Sequence, residues 1–509
     1  MGVSFISEPI LSPPLAAGLM PEAPLSDWVE NGGFNDCSNV IMKDGRAAFG
    51  PGYKQLEGGD IDALTEGVVE RHIAFRHNSH IGIVITNTSL FYIDDDGFSQ
   101  ITSAGINDDH NCVDLFTHSS GTYVSYAIGI YHVSTVPYDV IWFTNGTDPI
   151  YQFSTLTNTV TEILTTEFPA GARPQQVTYK DRRWWFLGIG ATKPTILRWP
   201  TLNTEDFSDA TMTLELPSKG SAPTGIINFN QFMIIFYPDL IYIGQQTNNY
   251  SLPYQFQTYA VRGIGMTTTR GYTIYGNSIY FMCDYRLFVM GLDLSVKQID
   301  HYLTRDMIKN FGTSVFLGCD ETLNQILIGS TGTTFMYAYN PIMDRWGKLK
   351  YGAGDLNTPS SFETVQLTSS KFEEPLMISN NKLFQMGYGT GYTYSSIYIQ
   401  TGPVNFDSIE TKKTINELGL QIRSTQAIPA LAAAMVLRKI DNTTETCGTL
   451  AFLNPAPAFS AFEKYTGLVL KYNQFVFEYT ITAAGVALLD ITYIDALYWN
   501  VIEGPVSLP

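Results

Sequence analysis

The sequence predicts an all-β protein, an irregular β-propeller with an additional β-sandwich-like C-terminal region. Three observations carry that expectation. Of 509 residues, 44% are hydrophobic and only 15% charged, with 30 Tyr and 30 Phe; this mixture suits pleated, half-buried strands better than charged surface helices. From Trp28 onward, short apolar or alternating runs recur, each closed by Gly, Asn, Asp or Pro, as in chains of closely spaced strands. Near residue 400 the glycine-aromatic turns thin out and cleaner alternation begins, which marks a separate unit.

Residues 1–27 read as an extended N-terminal arm, because Pro9, Pro13, Pro14, Pro21 and Pro24 deny both helix and central strand. An arm of this kind either docks on a neighbour or is a disordered terminus. Residues 28–400 read as the propeller-like domain. Ile81 to Thr86, Ser89 to Ile93 and Phe98 to Ile101 are short strands, the last two joined by the Asp94 to Gly97 turn, and Asp-Gly is a hairpin signal. The same grammar returns at Val140 to Thr144 with Asn145-Gly146, at Trp184 to Leu187 with Gly188, and at Asn230 to Tyr237 with Pro238-Asp239. It returns again over Ile274 to Phe281, Gln325 to Tyr339 and Leu376 to Met386. One form recurs loosely, a polar turn followed by "SLFYI", "DLIYIG", "RLFVMG" or "KLFQMG", as blades would require. A chain of β-sandwiches is the alternative. Residues 401–509 read as the β-sandwich-like region: Ile415 to Ile422 and Phe475 to Thr482 alternate, Met435 to Leu437 is a short apolar run, and Ala487 to Trp499 holds one or two strands.

Charge narrows the function. With 30 basic and 48 acidic residues the formal net charge is −18, which opposes gripping of phosphate by counterion release but not passive contact with DNA sliding past a repelling wall. Cys37, Cys112, Cys283, Cys319 and Cys447 stand singly, without the close pairs of zinc or redox motifs, and read as free thiols. The first basic side chain is Lys43, and Ile6 stands where a myristoylation signal needs Ser or Thr, so no export or lipid signal is expected and assembly in a cytoplasm is. Apolar runs such as Ala427 to Leu437 are too short to form a membrane anchor. The sequons at Asn87, Asn145, Asn249 and Asn442 read as turn chemistry.

Candidate chemistry is sparse. His72, His77, His80, His110, His118, His132 and His301 show no metal-ligand spacing across a helix turn or a strand face. The acidic run at Asp94, Asp95 and Asp96 lacks the alternating carboxylates and distal Glu of a calcium loop, so it reads as a turn. "GYGTGY" at Gly387 to Tyr392 lies among strands with no helix behind it to cradle phosphate. No catalytic, cofactor-binding or metal-ligating residue is assigned, no cofactor is expected, and the protein is read as not an enzyme. A glycosidase carboxylate pair, which meets only in space, sustains one alternative, a glycan-binding or glycan-degrading tail propeller.

The segment "WVENGGFNDCSNVIMKDGRAAFGPGYKQL" at residues 28–56 resembles the opening of tail-nozzle, or packaged-DNA-stabilisation, proteins of short-tailed bacteriophages, with Asn39, Val40, Asp44, Gly45, Gly50 and Gly52 at the matching positions. The likeness continues through "VIWFTNGTDPIYQF" at 140–153, "RPQQVTYKDRRWWFLG" at 173–188 and "ILRWPTLNTEDFSDA" at 196–210. It ends with "GIINFNQFMIIFYPDLIYIG" at 225–244 and "VRGIGMTTTRGYTIYGNSIYFMCDYRLFVMG" at 261–291. It implies a structural virion protein in a homo-oligomeric, commonly hexameric ring. That ring extends the DNA channel below the portal and the adaptor, retains the genome and then lets it pass without specific binding. Tail fibre, tailspike or needle proteins are the further partners it implies, and the virion tail the location.

Overall fold

A computed structural model describes residues 7–11, 17–22, 33–60, 69–77, 80–94, 97–102, 105–107, 115–116, 124–133, 136–163, 173–189, 195–200, 207, 212–217, 221–258, 263–300, 302–312, 314–351, 359–366, 373–389, 392–401, 413–424, 431–438, 443–452, 460–472, 476–482 and 492–503.

Among these residues, seven antiparallel blades follow one another in chain order; the first six are up-and-down meanders of contiguous chain, the sixth within a larger sheet. Blade 1 runs through Val69–His77, His80–Thr86, Leu90–Asp94 and Gly97–Thr102, with Gly105–Asn107 at its edge. Blade 2 is Ser125–Val133, Val136–Thr144, Tyr151–Ser154 and Thr159–Glu162. Blade 3 is Gln176–Lys180, Arg183–Leu187, Ile196–Arg198 and Thr213–Glu215, and blade 4 is Gly225–Phe229, Phe232–Tyr237, Leu240–Gln246 and Tyr254–Thr258. Blade 5 is Tyr272–Tyr275, Ser278–Cys283, Arg286–Met290 and Val296–Gln298, and blade 6 is Val315–Asp320, Gln325–Ser330, Met336–Asn340 and Arg345–Leu349. Blade 7 takes Pro359–Gln366, Glu373–Ser379 and Lys382–Gly387 from late in the chain and borrows its outer strand, Gly52–Asp60, from the N-terminal side. The first strand of blade 7 lies beside the first strands of blades 1 and 6, so the circle is closed. The chain is therefore a seven-bladed propeller, with blades of the irregular kind expected.

Period-2 alternation builds the circle. On a strand, successive side chains leave opposite faces, so a strand apolar at every position packs against both neighbouring blades. In blade 4, Ile235 and Tyr237 meet Trp185 and Trp199 of blade 3 and its outer edge, while Ile234 and Phe236 meet Phe281 and Met290 of blade 5. Blades 1 and 2 share Ile83, Tyr92, Ile141 and Phe143; blades 6 and 7 share Phe316, Leu327, Met377 and Phe384. The recurring form read from sequence has one structural meaning: Leu90–Asp94, Leu240–Gln246, Arg286–Met290 and Lys382–Gly387 are each the third strand of their blade. Turn chemistry agrees with it. Asp284-Tyr285 has φ 47 and 63, and Asn380-Asn381 has φ 49 and 59, the doubly left-handed pair that matches the twist of a two-residue hairpin.

The second lobe is a sandwich made from both ends of the chain. One sheet continues blade 6 outward: Arg345–Leu349 pairs with the hairpin Val40–Lys43 and Arg46–Phe49, then come Thr492–Glu503, Lys413–Ser424 and Ser460–Tyr472. The facing sheet runs Gly18–Leu19, Gly33–Ser38, Ile397–Thr401, Val476–Thr482, Leu431–Arg438 and Thr444–Phe452. A shared core of Leu418, Leu420, Met435, Leu437, Phe477 and Tyr479 lies between them and runs on into blade 6.

Two expected boundaries do not coincide with sheet boundaries. The segment 1–27, read as an arm free of the body, contributes Ser7–Leu11 to the ladder of Thr492–Glu503 and Gly18–Leu19 to the facing sheet. Gly33–Ser38 and Ile397–Thr401, assigned to the propeller, belong to the sandwich. Alternation reports that a strand is half-buried but carries no information about a partner hundreds of residues away.

The seam between lobes is tight at Gly347, where an added Cβ would sit 2.2 Å from the Val40 carbonyl oxygen. Backbone cannot yield there as a side-chain tip would, so Gly347→Ala is expected to cost about 1–3 kcal/mol by overpacking. Urea unfolding measures this, and an unchanged midpoint would show that the seam is loose.

Candidate functional site: the bore and faces of the disk

The inner strands of blades 2 to 5 border a cleft of about 180 Å³ on the propeller axis, lined by Tyr126, Ile128, Tyr179, Ile227, Asn228 and Tyr272 among others. Ile128, Ile130 and Ile274 are exposed there and on the adjoining strand surface. The lining mixes aliphatic and phenolic side chains with the neutral polar Thr178 and Asn228. It offers no carboxylate pair, and proton transfer needs a titrating group within hydrogen-bond reach of a substrate.

Elsewhere the polar groups are used in holding strands. Asn145 heads a turn, its Oδ1 accepting from the amides of Thr147 at 3.0 Å and Asp148 at 2.9 Å. Asn249 accepts from the Ser251 amide at 3.0 Å, so these two sequon asparagines do perform turn chemistry. Asp94 and Gly97 face each other in register across the turn of blade 1; Asp95 and Asp96 lie outside the described residues. At the start of "GYGTGY", Tyr388 donates to the Phe49 carbonyl at 2.6 Å and the Gly389 amide donates to the Tyr394 hydroxyl at 2.9 Å; the first of these bonds ties the end of blade 7 to the hairpin Val40–Phe49. Of the histidines, His132 is exposed at the end of the innermost strand of blade 2, and His77 and His80 face each other across the blade 1 hairpin. His110, His118 and His301 lie outside the described residues.

Among the described residues no group of three His, Cys, Asp or Glu is placed to hold a metal, and no helix is long and apolar enough to cross a membrane. Cys37, Cys283, Cys319 and Cys447 are buried thiols; Cys112 is outside the described residues. Burial raises the Cys37 and Cys283 thiols and pushes Cys447 up to about 11, which leaves little thiolate for nucleophilic chemistry.

What the sequence did not disclose is a pattern of exposed apolar tips. Leu156 (54% exposed), Tyr250 (52%), Leu292 (48%) and Ile342 (69%) all occupy the turn between the third and fourth strands of blades 2, 4, 5 and 6. In an up-and-down blade those turns lie on one face of the disk. Tyr250 is held in place, with the Arg183 guanidinium 4.6 Å from its ring centroid and donating to its carbonyl at 3.3 Å. Isolated exposed apolar residues are ordinary; these four share one topological position in their blades. Only the turn register would have revealed it, and that requires the blades to be aligned first.

No protein-family model matches the sequence, and no curated protein matches it. Among the solved structures that align with the chain are β-propeller domains. The WD40 propeller domain of Doa1 aligns over 66% of this chain and 96% of its own, at 9% identity and a TM-score of 0.40. Raptor of Chaetomium thermophilum aligns over 66% of this chain and 28% of its own, at 9% identity and a TM-score of 0.41. PorZ, a surface component of the type-IX secretion system of Porphyromonas gingivalis, aligns over 69% of this chain and 42% of its own, at 12% identity and a TM-score of 0.35. The match thus spans less than half of PorZ.

Proposed function

We propose that the chain is a structural virion protein of tail-nozzle type, whose copies close into a ring that continues the DNA channel below portal and adaptor and holds, then releases, the genome. The observation that carries the reading is the face of apolar tips at Leu156, Tyr250, Leu292 and Ile342. These tips span blades 2 to 6, more of the disk than a neighbour beside it could touch, so they suit a partner layered on that face, as stacked tail rings require. The sequence segments that resemble nozzle proteins fall on the opening hairpin and on blades 2 to 5. A net charge of −18 per chain disfavours strong phosphate contacts, each of which would have to be broken during ejection.

Electron microscopy of particles containing this chain tests the reading directly: a ring of copies on the tail axis is expected, and a single copy, or density on the capsid surface, would overturn it. The tips supply a sharper test. Leu292→Asp with Ile342→Asp is expected to leave circular dichroism and melting unchanged, because both side chains are already in water, while reducing incorporation into particles tenfold or more, about 1.4 kcal/mol of lost contact per decade. Normal incorporation would remove this face from the assembly.

A further inference from the structure

Asp320 ends the first strand of blade 6 and is 2% exposed. Its Oδ1 accepts from the Leu323 amide at 3.0 Å, and no salt bridge reaches it. The cation on its side of the seam, Lys43, donates instead to the Thr322 carbonyl at 3.3 Å and acts on Asp320 only at a distance. The seam around it is the apolar cluster of Ile41, Ala48, Leu323, Leu349 and Met386. Tyr351, just past the last strand of blade 6, is 4% exposed and its hydroxyl has no hydrogen-bond partner. The other titratable groups of the cluster are engaged elsewhere: Tyr388 with the Phe49 carbonyl, and Tyr493, from the C-terminal strand, with Asp44 at 2.6 Å. Tyr53 packs edge-on to Tyr351 at 5.7 Å between centroids.

A buried carboxyl within electrostatic reach of an idle buried hydroxyl has two stable arrangements. Neutral, it sits in the apolar seam at little cost; ionised, it demands donors, and the costs of an unmet buried charge are large. We propose that Asp320 is a proton-operated latch between blade 6 and the hairpin Val40–Phe49 that joins propeller to sandwich, closed when the carboxyl is neutral and loosened when it gives its proton to solvent and draws the Tyr351 hydroxyl and Lys43 toward it.

Burial, the largest influence, pushes Asp320 up to about 6, against the smaller opposing effects of the Leu323 amide, Lys43 and the Thr322 amide. The folded chain therefore keeps a proton that the unfolded chain has already lost between the ordinary carboxylate range and pH 6. Stability from this group is full below that window, falls as pH rises through it and is level above. Two pKa units correspond to a drop of up to about a hundredfold in the folded-to-unfolded ratio.

The test compares the whole protein with Asp320→Asn, whose amide oxygen still accepts from Leu323. The variant's advantage over the parent in the folding equilibrium is expected to be more than tenfold larger at pH 7.5 than near pH 4.5, where part of the window is already crossed, reading the difference so that other carboxylates cancel. Hydrogen exchange over residues 40–49 and 320–325, corrected for intrinsic rates, is expected to quicken with pH in the parent alone. An equal difference at both pH values would overturn the latch. Should the variant not fold, the protonated-carboxyl infrared band of the parent decides: a band lost near pH 6 and moved to higher pH by Tyr351→Phe is expected. A band already absent at pH 5, or one that Tyr351→Phe leaves in place, overturns the proposal.

Discussion

Removing residues 2–24 is expected to leave the seven blades assembled while lowering the stability of the sandwich and of its seam with blade 6. Each blade draws its strands from residues 52 onward, so none is lost. The sandwich loses the ladder between Ser7–Leu11 and Tyr498 to Ile502 and the pairing of Gly18–Leu19 with Gly33 and Phe34. Leu19 and Met20 are buried, and each contributes about 1.5–3 kcal/mol by leaving water. Glu22 accepts from the amides of Arg305 at 2.5 Å and Asp306 at 3.0 Å, capping the first turn of the helix Thr304–Asn310 from outside its own sequence, worth about 1 kcal/mol. Limited proteolysis should release fragments from residues 413–503 before any blade is cut. Simultaneous cleavage of blades and sandwich would mean that the lobes unfold as one, and an unchanged protease pattern would mean that the N-terminal strands contribute nothing. Weakened particle assembly, the outcome a free arm would give, is here expected only as a result of the damaged lobe.

The largest single-residue effect is expected at Trp184. Its indole stacks on Trp142 at 4.8 Å between centroids and 21° between planes, and its Nε1 donates to the Tyr131 hydroxyl at 2.7 Å. The inner strand of blade 2 makes room for it with Gly129, whose added Cβ would lie 2.7 Å from the ring. Trp184→Ala is expected to cost about 3–5 kcal/mol, the transfer loss plus a cavity that a strand on each side prevents from collapsing. Trp184→Phe should recover part of this and still lose the hydrogen bond. Chemical denaturation measures both, and a loss under 1 kcal/mol for the alanine variant would show that blades 2 and 3 repack freely. Neighbouring Trp185 faces the other way, 5.1 Å from Trp199, so Trp185→Ala damages the contact with blade 4 instead, and the two losses should add.

How much of this was legible follows from the range of each signal. "RLFVMG" and "KLFQMG" could be recognised as strands after polar turns because turn chemistry and alternation are local, and their common rank as third strands follows once pairing is known. The Asn145 turn was legible for the same reason. The closing of blade 7 by Gly52–Asp60 was not, since those residues read as any strand would wherever their partner lay. Asp320, in "CDETLN", carries no local signal of burial; only tertiary packing removes it from water. Nor could the apolar tips be separated from core residues, because Leu292 in a turn and Leu287 in a buried strand differ only in register. Of the candidate site, the turn role of Asn145 was visible in the sequence, while the common position of the apolar tips was not.

The borrowed strand of blade 7 also sets an order of events during synthesis. Gly52–Asp60 leaves the ribosome early, yet its partner Lys382–Gly387 emerges only after more than three hundred further residues, about 15–60 s at ordinary translation rates. Until then the early strand has two unsatisfied edges, and the hairpin Val40–Phe49 waits longer still for Thr492–Glu503. Blades 2 to 5 use only contiguous chain and can form as they are made. The newborn protein is thus an open arc with sticky ends, exposed to pairing with a second nascent copy, and its yield should depend on temperature and expression rate far more steeply than the stability of the finished ring would suggest.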